Sequence, residues 1–358
     1  MTNILYLGEI GYRNAGDDVM WELFRRYANQ YLNENATVTA AIQNEKMDLA
    51  PFDSVVLGGG SLIAPSYISF LYNAMMKNKP VSIWGSGLDK LAGRVGLTCL
   101  LRNKPIPASL ISQDTKDKIT AILNGAQFAS VRGPLSHSFL CQLGADPVKL
   151  RIGGDPAFLL KPEDAADTFP GERILSRNQA YVGINWGTAN NQIYGKNEAY
   201  VEDQLALAAK FLINKGYRIL MIVVWPKDIP STERLMDKIN MPGKVHLIDS
   251  FSPYEHLAAM KLCRFTINFK LHASIFSAVM RVPFIALGYR FKVFDFGASI
   301  ASLPFVIPTD SPKILGDIVR LTGEIEKDRP SLIRSMDKEL RRYDGRLTDK
   351  FFHSLNKE

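Results

Sequence analysis

Cysteine is scarce in this chain, with three in 358 residues. Cys99, Cys141 and Cys263 form no CxxC pair, which excludes a disulfide-stapled scaffold and a cysteine-rich metal site. Each sits among apolar residues and reads as a buried thiol, and the odd count favours a reducing compartment. The five histidines show no pair at metal-ligand spacing, so neither a metal nor a resident cofactor is expected. No apolar run approaches the ~18 residues of a spanning helix. The start, Met1-Thr2-Asn3-Ile4-Leu5-Tyr6-Leu7-Gly8, lacks the charged head and long apolar stretch of a signal peptide and reads as a strand. The expectation is a cytoplasmic protein, at most peripheral to the inner face of the plasma membrane. No block of five or more like charges occurs, which argues against a nucleic-acid tail. G-x-G-x-x-G and the nucleophile elbow G-x-S-x-G are also absent.

What remains is ordinary soluble material with a modest positive excess. Hydrophobic content of 46% and charged content of 22% suit a folded chain, and the length suits two domains. The net charge of +7 fits an anionic substrate, nucleic acid or an anionic membrane surface without choosing among them.

Short apolar runs end repeatedly in glycine. Ile4–Leu7 leads into a Gly/Asn/Asp turn and an amphipathic helix through Trp21, Leu23, Phe24, Tyr27 and Tyr31. Ser54–Leu57 runs into Gly58-Gly59-Gly60, Val81–Trp84 into Gly85-Ser86-Gly87, and Phe128–Val131 into Arg132-Gly133-Pro134. Strands of this kind with helices between them indicate parallel sheets covered on both faces, with ligands at the carboxyl ends. Residues 161–180, polar and proline-containing, read as a linker. A second series follows: Tyr181–Trp186, a helix over 198–214, a long strand Tyr217–Trp225, and Val245–Ile248. A helix opens at Pro253 with Ser252 as N-cap and Glu255 completing a capping box. The reading is α/β, with two Rossmann-like domains whose parallel sheets face a central cleft. The domains are 1–165 (acceptor side) and 176–325 (donor side), with a C-terminal helix over 326–358. In that tail Leu332, Ile333, Met336, Leu340, Tyr343, Leu347 and Phe351 recur at helical spacing. Its basic residues form a solvated face or a contact with anionic lipid.

Two regions carry chemistry. Gly11-Tyr12-Arg13-Asn14-Ala15-Gly16-Asp17-Asp18 has the glycine spacing of a P-loop, but two carboxylates replace its Lys-Ser/Thr and would repel phosphate. It is either a tight turn with Asp17 capping the next helix or a polar pocket for sugar hydroxyls, with Asn14, Asp17 and Asp18 as acceptor-binding candidates. The second region spans Phe269 to Lys292. Lys270 and His272 follow one apolar run, and Arg290 and Lys292 follow the next, which puts cations at two strand exits. Arg132 stands at a third exit, suited to grip a carboxylate or phosphate.

Taken in order, these pieces resemble the polysaccharide pyruvyl transferase family. The resemblance rests on Gly11–Asp18, Gly58-Gly59-Gly60, Ser130-Val131-Arg132-Gly133-Pro134, Leu143-Gly144-Ala145, Asp155-Pro156-Ala157-Phe158, Lys270-Leu271-His272-Ala273 and Tyr289-Arg290-Phe291-Lys292. It implies transfer of pyruvate from phosphoenolpyruvate to a sugar as a ketal, on a fold like that of two-Rossmann (GT-B) glycosyltransferases. It implies a catalytic His272, with Arg132 and Lys292 binding the donor; Lys270 and Arg290, as further cations at the strand exits, read as supports. The family usually carries Arg where this chain has Lys270, and Asp or Glu where it has Gly133. The residues suit the chemistry: cations neutralise the donor, and a histidine titrating near neutrality moves the protons. The implied partners are phosphoenolpyruvate as co-substrate and a sugar or lipid-linked oligosaccharide acceptor, with no nucleic acid. Two other readings fit the same residues: a glycosyltransferase with a nucleotide-sugar donor, and a non-catalytic glycan-binding protein.

Overall fold

A computed structural model describes residues 2–43, 47–176 and 178–356. Among them, twelve strands form two six-stranded sheets. The first holds β1 (Thr2–Leu7), β2 (Ala36–Ala41), β3 (Ser54–Leu57), β4 (Val81–Ser86), β5 (Phe128–Val131) and β6 (Leu150–Ile152). The second holds β7 (Tyr181–Asn185), β8 (Arg218–Ile222), β9 (Val245–Ile248), β10 (Cys263–Asn268), β11 (Phe284–Gly288) and β12 (Val306–Pro308). The α/β reading with two parallel sheets holds. The central strands β4, β5, β7 and β11 are buried along their whole length, as strands covered on both faces must be.

The first sheet runs β2-β1-β3-β4-β5-β6 and the second β12-β11-β10-β7-β8-β9, with every neighbour parallel. Strand order therefore reverses between β1 and β3 in one sheet and between β7 and β10 in the other. Loops leaving adjacent strands diverge there and open a crevice at the carboxyl ends. The diverging loops are Gly8–Asn14 with Gly58–Ala64, and Trp186–Asn197 with Phe269-Lys270. The two crevices face each other.

The halves are tied directly. Ala15 N donates to Val224 O at 3.1 Å, Trp225 Nε1 to Tyr12 O at 3.3 Å, and Tyr194 OH to Gly93 O at 3.2 Å. Arg94 pairs with Asp310 at 2.9 Å. The chain end returns to the first half: Phe351 and Phe352 pack beside Trp84 and Phe24, and Trp84 Nε1 donates to Leu347 O at 2.8 Å.

Several local expectations change. Asn14, not Asp17, caps the helix Ala15–Tyr31, accepting from Gly16 N at 3.3 Å. Ser252 makes no side-chain cap; Ser250 Oγ instead accepts Ser252 N at 3.1 Å and donates to Glu255. The strand expected to reach Trp225 stops at Ile222, because the next residues turn to meet the first half. The tail is not one helix: Ile314–Leu340 kinks at Asp328, two residues before Pro330, and Asp344–Leu347 and Asp349–Leu355 follow. Cys263 is buried, whereas Cys99 and Cys141 are partly exposed. Among the described residues, no helix is long and apolar enough to cross a membrane.

Candidate active site

The facing crevices merge into one cleft of about 580 Å³. Seven of the eight sequence-derived candidates line it: Asn14, Asp17, Arg132, Lys270, His272, Arg290 and Lys292. Asp18 is the exception. It faces back along its own loop and accepts from Gly11 N at 3.3 Å, so it pins the turn instead of lining the cleft.

Arg132 leaves β5 and is only 1% exposed. Its Nη2 donates to Ser61 Oγ and to Leu88 O, each at 3.3 Å, and Asp155 Oδ2 lies 3.7 Å from its Nη1. Its Nε has no hydrogen-bond partner among the described residues. Gly87 is required beside it, since a Cβ there would come within 2.7 Å of the guanidinium. Of the five glycines after β3 and in and after β4, only Gly60 lines the cleft. Gly58, Gly59, Gly85 and Gly87 instead let Tyr6, Met20, Pro156 and Arg132 pack closely.

His272 opens the helix Leu271–Val279 just beyond β10. Its ring lies against the backbone of Gly16, where a Cβ would come within 1.8 Å of Nδ1. Nε2 is buried with no partner among the described residues. Burial first, then the charges of Arg132 and Lys292, push the imidazole down to about 3. The near-neutral histidine expected from the sequence is therefore a neutral imidazole with these neighbours. Anionic charge beside Arg132 and Lys292 would screen both cations and bring its titration back up.

The cations are not equally available. Lys270 Nζ lies 3.1 Å from Asp228 Oδ1, donates to Thr188 O at 2.7 Å, and stands over the Trp225 ring at 5.1 Å. Arg290 Nη1 bonds Asp89 Oδ2 at 3.1 Å, and its Nε donates to Gln192 O at 3.0 Å. Lys292 shares Asp89 more loosely, at 3.7 Å. Burial alone would lower Lys292, but Tyr289 and Asp89 outweigh it and keep the ammonium firmly charged. Arg132 and Lys292, each with its counter-carboxylate at 3.7 Å, are thus the freer pair.

The opposite wall is acidic. Glu9 accepts from Tyr67 OH at 2.9 Å. Burial, reinforced by Glu9, Asp155 and Asp18 against the pull of Lys292, pushes Asp17 up to about 7.

A carboxylate does stand beside Gly133, supplied from the other half. Asp295 Oδ1 accepts from Leu135 N at 2.9 Å and Ser136 N at 3.0 Å, and Oδ2 accepts from Ser136 Oγ at 2.6 Å. It caps the helix Pro134–Leu143 across the domain boundary. A Cβ on Gly133 would meet Asp295 Oδ1 at 2.2 Å, so the glycine makes room for this cap.

Sequence reading gave no site role to Glu9, Tyr67, Asp89, Asp155, Asp228 or Asp295. Glu9 carried a usable signal, as the second residue after β1. Among the described residues, no cluster of three metal-ligating side chains occurs.

The family model for polysaccharide pyruvyl transferase matches residues 14–290, which contain every cleft-lining cation except Lys292. The chain belongs to the polysaccharide pyruvyl transferase family. No curated protein sequence matches it. Among solved structures, it is similar to Staphylococcus aureus MnaA with UDP, at TM-score 0.67 and 11% identity over 97% of this chain and 94% of that one. UDP-GlcNAc 2-epimerase from Neisseria meningitidis with UDP-GlcNAc gives TM-score 0.65 and 12% identity, covering both chains fully. Anabaena Alr3699/HepE with UDP-glucose gives 0.59 and 11%, covering 99% of each. At such identities the likeness is one of fold, two Rossmann-like halves in the GT-B arrangement, and the family rests on the sequence match.

Proposed function

We propose that this chain transfers pyruvate from phosphoenolpyruvate to a sugar of a cell-surface polysaccharide or its lipid-linked precursor, closing a pyruvate ketal across two hydroxyls. The observation that carries this reading is the convergence of Arg132, Lys292 and neutral His272 in one cleft. Buried nitrogens of Arg132 and His272 have no partner among the described residues there. Two freer cations match a ligand with a carboxylate and a phosphate. Arg132 suits a planar two-pronged contact and Lys292 a point charge on the leaving phosphate. Lys270 and Arg290, each paired with a carboxylate, hold the walls of this site and sharpen its field. Neutral His272 is ready to accept a hydroxyl proton. The acceptor occupies the wall built by Asn14, Asp17, Glu9 and Tyr67, whose oxygens can hold vicinal hydroxyls.

The test is phosphate release from phosphoenolpyruvate with a panel of glycan acceptors. Wild type turns over, and His272→Ala keeps the fold and loses turnover. Unchanged turnover in His272→Ala would remove the assignment. UDP is the natural competitor ligand, because the structural neighbours are UDP and UDP-sugar complexes. Stabilisation by UDP and none by phosphoenolpyruvate would favour the nucleotide-sugar alternative.

A further inference from the structure

We propose that Asp17 is the second proton-transfer group of the cleft, giving its proton to the methylene carbon of the donor while His272 takes the proton of the attacking hydroxyl. This rests on the pyruvyl-transfer reading above.

Asp17 sits in the first turn of the helix Ala15–Tyr31, immediately after the Gly16 backbone on which the His272 ring rests. The two groups come from opposite halves of the molecule and line the same cleft. An addition across a carbon–carbon double bond needs such a pair, one group for the hydroxyl and one for the carbon. Gly60 leaves room at the carboxyl: even a Cβ there would stay 3.7 Å from Asp17 Oδ1. Among the described residues the Asp17 carboxyl neither accepts nor donates a hydrogen bond, so its proton is not committed elsewhere. Asp18, one residue on, is held by Gly11 N and cannot substitute.

The charges facing Asp17 come from every surrounding element. Glu9 lies after β1, Asp18 is on its own helix, Asp155 follows β6, and Tyr6 and Tyr67 are close enough to feel its charge. Lys292 is the cation that opposes them. Burial and three carboxylates keep Asp17 substantially protonated near neutrality, whereas His272 is neutral. The two groups therefore rest in complementary states, an acid holding its proton and a base lacking one.

The step balances. The first hydroxyl oxygen bonds to C2 and its proton passes to His272. The C2–C3 π pair takes the Asp17 proton, making C3 a methyl group. The C2–O bond to phosphate then breaks, its electron pair leaving with phosphate. The second hydroxyl oxygen bonds to C2, its proton returns to Asp17, and the imidazolium gives its proton to the departing phosphate. Donor plus diol yields ketal plus inorganic phosphate, with both side chains restored and no oxidant consumed.

The experiment measures phosphoenolpyruvate binding by calorimetry and phosphate release across pH 6–9 for wild type, Asp17→Asn and Asp17→Glu. Wild-type kcat/KM should fall as pH rises through about 7, because the acid must be protonated. Asp17→Asn, whose amide can still hold an acceptor hydroxyl, should bind the donor within about threefold of wild type, raise acceptor KM by no more than about tenfold, and lose roughly 100-fold or more in kcat. Asp17→Glu should recover part of the rate and a falling high-pH limb. A raised acceptor KM with kcat intact would make Asp17 a binding residue and overturn the proposal. A wild-type profile without a falling limb overturns it even if the variants fail to fold. If wild type neither binds phosphoenolpyruvate nor releases phosphate, the underlying reading fails first. That outcome is read on wild type alone, so it cannot be confused with a failure confined to Asp17.

Discussion

Gly16→Ala sets two effects against each other in the same helix. Replacing a helical glycine by alanine normally stabilises by about 1 kcal/mol through reduced backbone entropy and better propensity. Here the new methyl would lie 1.8 Å from His272 Nδ1, 2.0 Å from Cγ and 2.5 Å from Cε1. The ring cannot simply retreat, because His272 is 9% exposed and has Phe276 behind it with ring centroids 6.2 Å apart. Overpacking of a well-filled site costs about 1–3 kcal/mol, and contacts this short belong at the upper end. The net expectation is a loss of about 1–2 kcal/mol, a fall of a few degrees in Tm. Turnover should fall further, by roughly 100-fold, since a shift of about 1 Å in a reacting group has that effect. Gly323→Ala is the internal control. It lies in the helix Ile314–Leu340, and a Cβ there meets nothing within 4 Å, so it should gain stability and keep full activity. Thermal melts and phosphate release on both variants decide the matter. A Gly16→Ala protein as stabilised as Gly323→Ala, with turnover within about threefold of wild type, would refute the packing argument.

The cross-domain cap gives a second prediction. Asp295→Ala strands three donors on Leu135 and Ser136, a loss of about 2–4 kcal/mol in denaturant unfolding. Gly133→Asp alone should also destabilise, and the double variant should recover part of the loss; strict additivity would contradict the exchange of carboxylates. Lys270→Met leaves buried Asp228 without its cation and should cost about 3–5 kcal/mol, with Lys270→Arg closer to wild type. Phe352→Ala should cost about 3–5 kcal/mol and loosen the tail to limited proteolysis, because Phe352 packs on Phe24 in the first domain. Asp17→Asn should melt above wild type at pH 8. The folded carboxyl binds its proton more tightly than the unfolded one, so ionisation costs stability as pH rises from about 4 toward about 7. The gap should narrow as pH falls to about 4, and a constant gap would count against the raised titration.

Much of the cleft was legible because charged residues directly follow strand-like runs. Arg132, His272 and Lys292 stand at strand exits in the sequence, and parallel sheets bring such exits together. The counter-carboxylate shared by Arg290 and Lys292 was not legible, since Asp89 comes from a distant element. Asp89 meets Arg290 at a separation of 201 residues, and Asp295 meets Ser136 at 159. This is why Lys270 and Arg290 read as free cations although both are paired. The strand β2 was missed because Ala36–Ala41 is a half-exposed edge with a weak apolar pattern. The break at Asp328 did carry a signal in Pro330, which cannot sit inside an unbroken helix. The return of Phe351 and Phe352 to the first domain had no local signal, since helical periodicity gives a buried face without naming what covers it.

The central claim is that Arg132 and Lys292 hold an anionic enolpyruvyl donor beside His272. Calorimetric titration of phosphoenolpyruvate into wild type and Arg132→Ala, with UDP titrated in parallel, tests it most directly. The account predicts binding of phosphoenolpyruvate to wild type, weakened at least about tenfold in Arg132→Ala by loss of a charge-assisted contact. Binding of UDP alone, or phosphoenolpyruvate binding that is indifferent to Arg132, would contradict it.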